Sequence, residues 1–219
     1  MSQPPTWSPA AERILRTAAE LFAVRGYSGT STRDIAFRVG VQQPAIYKHF
    51  SAKDDILVAL IRSAVDRPLA LAERLDAVSA PAVVKLHCWL LDTLRHLHDS
   101  PYLLASIFSA PELQQDRFAA ERDLLERLEQ VVVSLVAAGQ REGDIRPIDT
   151  VSAARLVLAL FDALALPGIA VSPPEITEFA LAGLLADPAR LPEIARSADE
   201  LAVPSNVPAG RVGNAGETG

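Results

Sequence analysis

The side chains best suited to chemistry in this sequence lie between residues 32 and 53. Gln43, Tyr47, Lys48 and His49 bring hydrogen-bond donors, acceptors and positive charge together within two helical turns. Groups of these types contact base edges and phosphate oxygens when a short helix presents them to a nucleic-acid groove. This chemistry requires a helix whose opposite face is anchored in an apolar core.

The residues around this cluster have the spacing of two short helices joined by a tight turn. Ser31-Thr32-Arg33-Asp34 is a helix-capping sequence, and Gly40 tolerates the positive φ of a tight turn. Ala36 is small enough to let the two helices cross closely. The apolar anchors on their inner faces are Ile35, Val39, Val41, Ile46 and Phe50. Two helices that cross steeply in this way place the second one in a DNA major groove.

Seven short stretches of the sequence carry a family resemblance. They are Ile14–Phe22, Gly26-Tyr27, Thr32, Ile35-Ala36, Gly40-Val41, Ile46–Phe50 and Lys53-Asp54. Through them the chain resembles the tetracycline-repressor (TetR, or TetR/AcrR) family of transcriptional regulators over about residues 10–60, roughly a quarter of its length. Val39 departs from the alanine that is commoner in the family. Gln42-Gln43 replaces the commoner serine before the third helix, and the weaker cap costs about 1 kcal/mol.

The resemblance implies contacts with DNA at each matching position. The implied contact residues are Thr32, Arg33, Gln43, Pro44, Ala45, Tyr47, Lys48, His49 and Lys53. Those at the start of the second and fourth helices would meet phosphates. Those that open the third helix would read bases, and Tyr47 to His49 would contact the groove and the backbone. Two alternatives stay open: Tyr47 packs on the first helix, and His49 is a solvated surface residue.

The charge of the chain is distributed unevenly, in agreement with a nucleic-acid-binding N-terminal segment. The whole chain carries a net charge of −6. Residues 1–53 hold seven basic and three acidic residues, a net of +4, and the remainder therefore carries −10. Such asymmetry is a recognised hint of a nucleic-acid-binding end on an otherwise acidic protein.

Apolar periodicity predicts an all-α fold of about nine helices, with a three-helix helix-turn-helix domain followed by a C-terminal helical bundle. The predicted divisions are a flexible N-terminus (1–8), the DNA-binding domain (9–53), a ligand-binding and dimerisation domain (54–202) and a disordered tail (203–219). Pro68 is expected to kink or break the fourth helix. Further helices are expected at about 82–98, after Pro101, from 112 or 118 to 138 before Gly139–Gly143, and at 150–165 and 175–186.

The last two predicted helices are the candidates for a homodimer interface, as the resemblance also implies. The 150–165 helix is apolar almost all round, so it must be covered on every side. The predicted interface residues are Leu156, Leu160, Phe161, Leu164 and Phe179. The alternative is a helix buried within a monomer.

The resemblance implies a pocket for an unidentified small-molecule effector, and no other cofactor is expected. An apolar or aromatic effector would suit the residues nominated for the pocket, which are Trp89, His96, Tyr102, Phe108 and Phe161. Aromatic residues at helical spacing are also typical of an ordinary core. Metal binding is not expected, since His96 and His98 point about 200° apart on a helix.

Other classes of protein have less support in the sequence. Neither a G-x-S-x-G elbow, a phosphate-binding glycine loop nor an H-E-x-x-H motif occurs, so an enzyme is not predicted. A helical ligand-binding or adaptor protein without DNA binding is the second alternative. A single cysteine, Cys88, and the absence of a signal peptide or a membrane-spanning apolar stretch favour the bacterial cytoplasm, at the nucleoid. The predicted function is a ligand-responsive repressor that binds a palindromic operator as a dimer and leaves it when an effector binds.

Overall fold

The structure, a computed structural model, describes residues 7–100, 102, 111–165 and 170–201. Within these residues the chain forms nine α-helices and no β-strand, as the periodicity predicts. They are α1 (Pro9–Arg25), α2 (Thr32–Val39), α3 (Gln43–Tyr47), α4 (Lys53–Asp76), α5 (Ala82–Asp99), α6 (Ala119–Glu142), α7 (Thr150–Ala159), α8 (Pro173–Leu184) and α9 (Leu191–Glu200). None of the helices in these ranges is long and apolar enough to cross a bilayer.

The helices α1 to α3 form a small unit that we call the head. Ser8 caps α1 by accepting a hydrogen bond from the Ala11 amide at 3.3 Å, and Pro9 occupies the first helical position. Ser31 and Asp34 cap α2 reciprocally, with the Ser31 amide donating to Asp34 Oδ2 at 2.8 Å. Trp7 packs on the Phe50 ring, so residues 7 and 8 belong to the head rather than to a flexible N-terminus.

The helices α4 to α9 form the body, which is built around α5. This helix packs against α4, α6, α8 and α9, while α7 packs on α6. Pro68 lies inside α4 without breaking it, and the Trp89 indole of α5 donates to the Pro68 carbonyl oxygen at 3.0 Å. Because α4 runs unbroken from residue 53, the predicted domain boundary at 53/54 falls within the first turn of a helix rather than in a linker.

Several predicted helix limits in the body need correction. Gly139 does not end α6; it lies inside the helix, buried against Ile145, and α6 ends at Gly143 with φ of 84°. The predicted 150–165 helix is α-helical only to Ala159 and continues as a 3-10 turn over Leu160–Ala165. The helix α9 was not predicted individually. The predicted helix after Pro101 and the tail from 203 lie largely or wholly outside the described residues.

Candidate nucleic-acid interface

The third helix is anchored on one side and open on the other. Ile46 is fully buried and Phe50 nearly so, while Lys48 and His49 are exposed and Tyr47 is 48% exposed. The chain reaches α3 through Gly40, whose φ of 81° and ψ of 32° are the left-handed conformation that favours glycine. The helix has no side-chain cap at its N-terminus, as expected from Gln42. Residues 43–49 therefore stand where a DNA groove can reach them.

The predicted anchors of the head lie on its inner side. Ile35 and Ala36 are buried, and Val39 and Val41 are half-buried against the same core. The alternative in which Tyr47 packs on α1 is wrong, because its hydroxyl lies on the surface beside Thr32 and Gln43. All nine predicted contact positions are exposed or half-buried: Arg33 and Pro44 are exposed, for example, and Ala45 is half-buried.

Three predicted contact residues form a polar cluster that joins α2 to α3. Gln43 Nε2 donates to Thr32 Oγ1 at 2.9 Å and to the Tyr47 hydroxyl at 3.2 Å. The Thr32 and Tyr47 hydroxyl oxygens are 3.3 Å apart. The cluster fixes the first turn of α3 against the start of α2, so the three side chains hold one another in place on the surface.

Lys53 has a structural role that the sequence did not reveal. Its Nζ donates to the carbonyl oxygens of Tyr27 and Thr30, each at 2.8 Å, and lies 3.9 Å from the centre of the Tyr27 ring. Burial lowers the pKa of the ammonium. Lys53 thus ties the α1–α2 loop to α4, and only one of its three N–H groups is left for a phosphate. An open cleft of about 490 Å³ beside α3 is lined by Lys53, Tyr47 and the α1–α2 loop.

A junction between head and body lies behind this lysine. The Tyr27 hydroxyl donates to Asp54, and Arg117 Nε, in the segment before α6, lies 3.1 Å from the other Asp54 oxygen. Burial and then the Asp54 carboxylate raise the pKa of Tyr27. The Phe118 ring meets the Tyr27 ring edge-on at 6.1 Å between centroids. The loop of the head therefore rests on residues 117 and 118 of the body.

A second contact of the junction joins Glu112 to Ser28, 84 residues apart in sequence. Glu112 Oε1 accepts from the Ser28 hydroxyl and from its amide, the latter at 3.2 Å. The bond from the Ser28 hydroxyl is the main reason that the pKa of Glu112 is lowered although the side chain is buried. Ser28, Glu112 and Arg117 were missed from sequence, since no periodicity or motif links residues so far apart.

The nominated effector residues do not line the groove of the body that the structure describes. Trp89 and Phe161 pack in the core with ring centroids 6.4 Å apart. His96 Nε2 donates to the Ser63 carbonyl oxygen at 2.7 Å, and burial lowers the pKa of His96. Tyr102 is half-buried, and Phe108 lies outside the described residues. These contacts are core packing, and a ligand role for the five residues stays a prediction.

An open groove of about 380 Å³ runs between the distal ends of α4 and α6 and the start of α5. Its lining mixes apolar residues, such as Leu69 and Leu75 on α4 and Val131 and Leu135 on α6, with polar and charged ones. Charged residues stand at its rim, where Arg127 and Glu73 form an ion pair at 3.8 Å. The groove has the size of a small-molecule site.

The predicted dimer residues divide into exposed and buried ones. Leu156 on α7 is 66% exposed and Phe179 on α8 is 70% exposed, beside the exposed Ala159 and Ala182. Leu160 and Leu164 are half-buried. Phe161 is only 3% exposed within a single chain, so its assignment to an interface is wrong: its ring fills the core against Trp89.

Comparison with known proteins agrees with this geometry. The sequence profile described as "Bacterial regulatory proteins, tetR family" matches residues 14–60. The tetracycline repressor protein class C of Escherichia coli is 51% identical over 49 residues, which is 22% of each chain. The chain therefore matches less than a quarter of the length of that repressor.

The crystal structure of AmtR from Mycobacterium smegmatis extends the similarity to most of the chain. It is 36% identical, has a TM-score of 0.76, and the match covers 93% of this chain and all of AmtR. The chain belongs to the TetR family of transcriptional regulators. The transcriptional repressor KstR2 of Mycobacterium tuberculosis is 26% identical over 61% of this TetR-family chain and 68% of its own. These relatives are regulators, which agrees with the prediction that the chain is not an enzyme.

Proposed function

We propose that this TetR-family regulator is a repressor that binds a palindromic operator as a homodimer and leaves it when a small effector binds the body. The single observation that carries the proposal is the placement of α3, with Ile46 buried and Tyr47, Lys48 and His49 open to solvent. A short helix held in this way fits a major groove. Repressors among the relatives, such as KstR2, support the direction of regulation.

The charges of the head favour DNA as the partner. The five arginines of the head, Arg13, Arg16, Arg25, Arg33 and Arg38, are all exposed. Lys48 is exposed as well, and its ammonium makes no hydrogen bond or ion pair within the residues that the structure describes. Free cations on one unit of an acidic protein attract phosphates and give binding that weakens with salt.

A homodimer through α7 and α8 explains why large apolar side chains stand in water there. Leu156 and Phe179 are exposed beside alanines, an arrangement that lets helices of two copies approach closely. A twofold dimer would present two copies of α3 to half-sites about 34 Å apart, one turn of DNA. We place such a dimer in the bacterial cytoplasm, at the nucleoid.

The groove between α4 and α6 is the proposed effector site. A lining that mixes apolar and charged residues suits an amphipathic molecule with an apolar or aromatic part. The far end of α4 lines the groove and its first residue is Lys53, so a molecule wedged there contacts the helix that carries the head. An effector that binds more tightly when α4 is in one position than in another would shift the dimer away from its operator-binding form.

DNA binding is tested by selecting fragments of the host genome with the purified chain and measuring affinity in a mobility-shift assay. With about six phosphates neutralised per dimer, affinity falls on the order of a thousandfold between 50 and 200 mM salt. The double variant Tyr47→Ala, Lys48→Ala loses operator binding and stays a dimer. A flat salt response, or full affinity of that variant, would overturn the proposal.

The dimer is tested separately by sedimentation of Phe179→Glu. The substitution places a charge in an apolar interface and gives a monomer, because a buried unpaired carboxylate is expensive. The matched control is Phe37→Glu, since Phe37 is equally prominent at 87% exposed but lies on α2 of the head. Dimers of Phe179→Glu as stable as those of the control would exclude this interface.

A further inference from the structure

The amide of Gln43 is oriented by its neighbours before any DNA is bound. A glutamine amide carries two N–H donors on Nε2 and one carbonyl acceptor, Oε1. Nε2 donates both to Thr32 Oγ1 at 2.9 Å and to the Tyr47 hydroxyl at 3.2 Å, so the two hydroxyls together hold the nitrogen side of the amide. Within the residues that the structure describes, Oε1 accepts no hydrogen bond. The group that remains for a partner is therefore an acceptor.

The two hydroxyls are ordered by the same bonds. Each oxygen accepts from Gln43, and a hydroxyl has a single hydrogen to donate. Even if one hydroxyl donates to the other across their 3.3 Å separation, at least one hydrogen points away from the cluster. A phosphate oxygen can accept that hydrogen, which would strengthen the cluster by polarising the chain of bonds. Binding to phosphate and orientation of Gln43 thus support each other.

We propose that Gln43 reads DNA as a hydrogen-bond acceptor only, selecting adenine or cytosine on the strand it contacts. In the major groove adenine offers its N6 amino group and cytosine its N4 amino group. Guanine and thymine offer acceptors at the corresponding positions, and an acceptor facing Oε1 leaves both groups without a partner. Thr32 and Tyr47 are positioning residues, and the inference rests on the proposed operator binding.

An amide without these restraints reads bases differently. It can turn to donate to N7 and accept from N6 of adenine at once, which favours adenine over cytosine. In the restrained amide of Gln43 the nitrogen is held toward Thr32 and Tyr47, so donation to N7 must compete with those two bonds. Two results therefore distinguish the restrained amide from a free one. It accepts adenine and cytosine about equally, and in both accepted base pairs the amino group lies on the same strand.

The experiment measures the affinity of the full-length chain for operator variants that carry all four base pairs at each position of one half-site. The pair at which Gln43→Ala loses discrimination is the pair that Gln43 reads. There we expect A·T and C·G, with the contacted base first, to bind alike and about tenfold more tightly than G·C and T·A. A preference of the unmodified chain for guanine or thymine at that pair would overturn the inference.

Two variants test the cause of the preference. Replacing both restraints, with Thr32→Val and Tyr47→Phe, frees the amide, and adenine then binds about tenfold more tightly than cytosine. Gln43→Glu keeps an acceptor-only group and so keeps the tolerance of both bases, although phosphate repulsion weakens overall affinity. Circular dichroism checks that each variant is folded, and base preference is a ratio that a loss of overall affinity does not change.

The outcomes separate this inference from the function on which it rests. A double variant that still accepts adenine and cytosine equally would show that Thr32 and Tyr47 do not restrain the amide, and would overturn the inference. A chain that binds an operator tightly but prefers guanine contradicts only the role of Gln43. A chain that binds no DNA overturns the operator proposal and this inference together.

Discussion

Removing the charge of Lys53 is the change with the clearest consequence for the head. The substitution Lys53→Met keeps an unbranched side chain of similar length and removes the ammonium. It deletes two hydrogen bonds of 2.8 Å, to the carbonyl oxygens of Tyr27 and Thr30, and the contact with the Tyr27 ring at 3.9 Å. The α1–α2 loop then loses its tie to the start of α4.

The size of the effect follows from these contacts. A hydrogen bond to a charged group contributes about 1.5–3 kcal/mol, and a partly exposed cation over an aromatic ring about 0.5–1 kcal/mol. The desolvation that lowers the pKa of Lys53 offsets part of this gain. We expect the free energy of unfolding to fall by about 2 kcal/mol and Tm by roughly 4–8 °C.

The assay is urea unfolding without DNA, at one protein concentration because dimerisation affects apparent stability. Lys48→Met is the matched control, since Lys48 is an exposed lysine only five positions before Lys53. Its stability should stay within about 0.5 kcal/mol of the unmodified chain. Its operator affinity should instead depend less on salt. The slope of log affinity against log salt concentration should be reduced by about 2 if each protomer loses one phosphate contact.

The reasoning fails if Lys53→Met unfolds at the same urea concentration as the control. That result would mean that the two carbonyl oxygens find water as good a partner as the ammonium. A fall in stability together with an unchanged salt slope would assign Lys53 to the fold alone. A fall in both would show that its third N–H also meets a phosphate.

Three further predictions concern the turn, the body and the junction. Gly40→Ala keeps ample space around Cβ but forces φ of 81° on alanine, so unfolding free energy falls by about 1–2 kcal/mol, and an unchanged value would contradict the left-handed turn. Gly139→Ala places Cβ 2.7 Å from Ile145 Cδ1 and lowers the free energy of unfolding by about 1–3 kcal/mol. Adding Ile145→Val, which removes Cδ1, should recover part of this loss. If the effects of the two substitutions simply add, the clash is not the cause. Glu112→Gln lowers stability by about 1 kcal/mol at pH 7. Because the bonds from Ser28 lower the pKa of Glu112 below its ordinary 4.5, this difference should be full above that pH and disappear as the pH falls through the lowered value; a difference that grows in acid would reverse the assigned sign.

The parts of the fold that were predictable are those whose signals lie close together in the chain. Ser8-Pro9 and Gly26 mark the limits of α1, and the Ser31–Asp34 box and Gly40 mark those of α2. Capping groups and left-handed turns act over three or four residues, so residue type and spacing identify them. Gly139 shows the limit of this reasoning, because a glycine needed for close packing looks the same in sequence as one that ends a helix.

The sequence by itself determined an all-helical chain with a basic N-terminal head and an exposed third helix, because these follow from short-range periodicity and charge. Only the tertiary structure decided which polar groups already have partners. Lys53 faces two carbonyl oxygens, and Glu112 holds Ser28 from 84 residues away. Phe161 likewise lies in the core while Leu156 and Phe179 remain in water. Such pairings depend on how distant helices pack, and no local pattern records that packing.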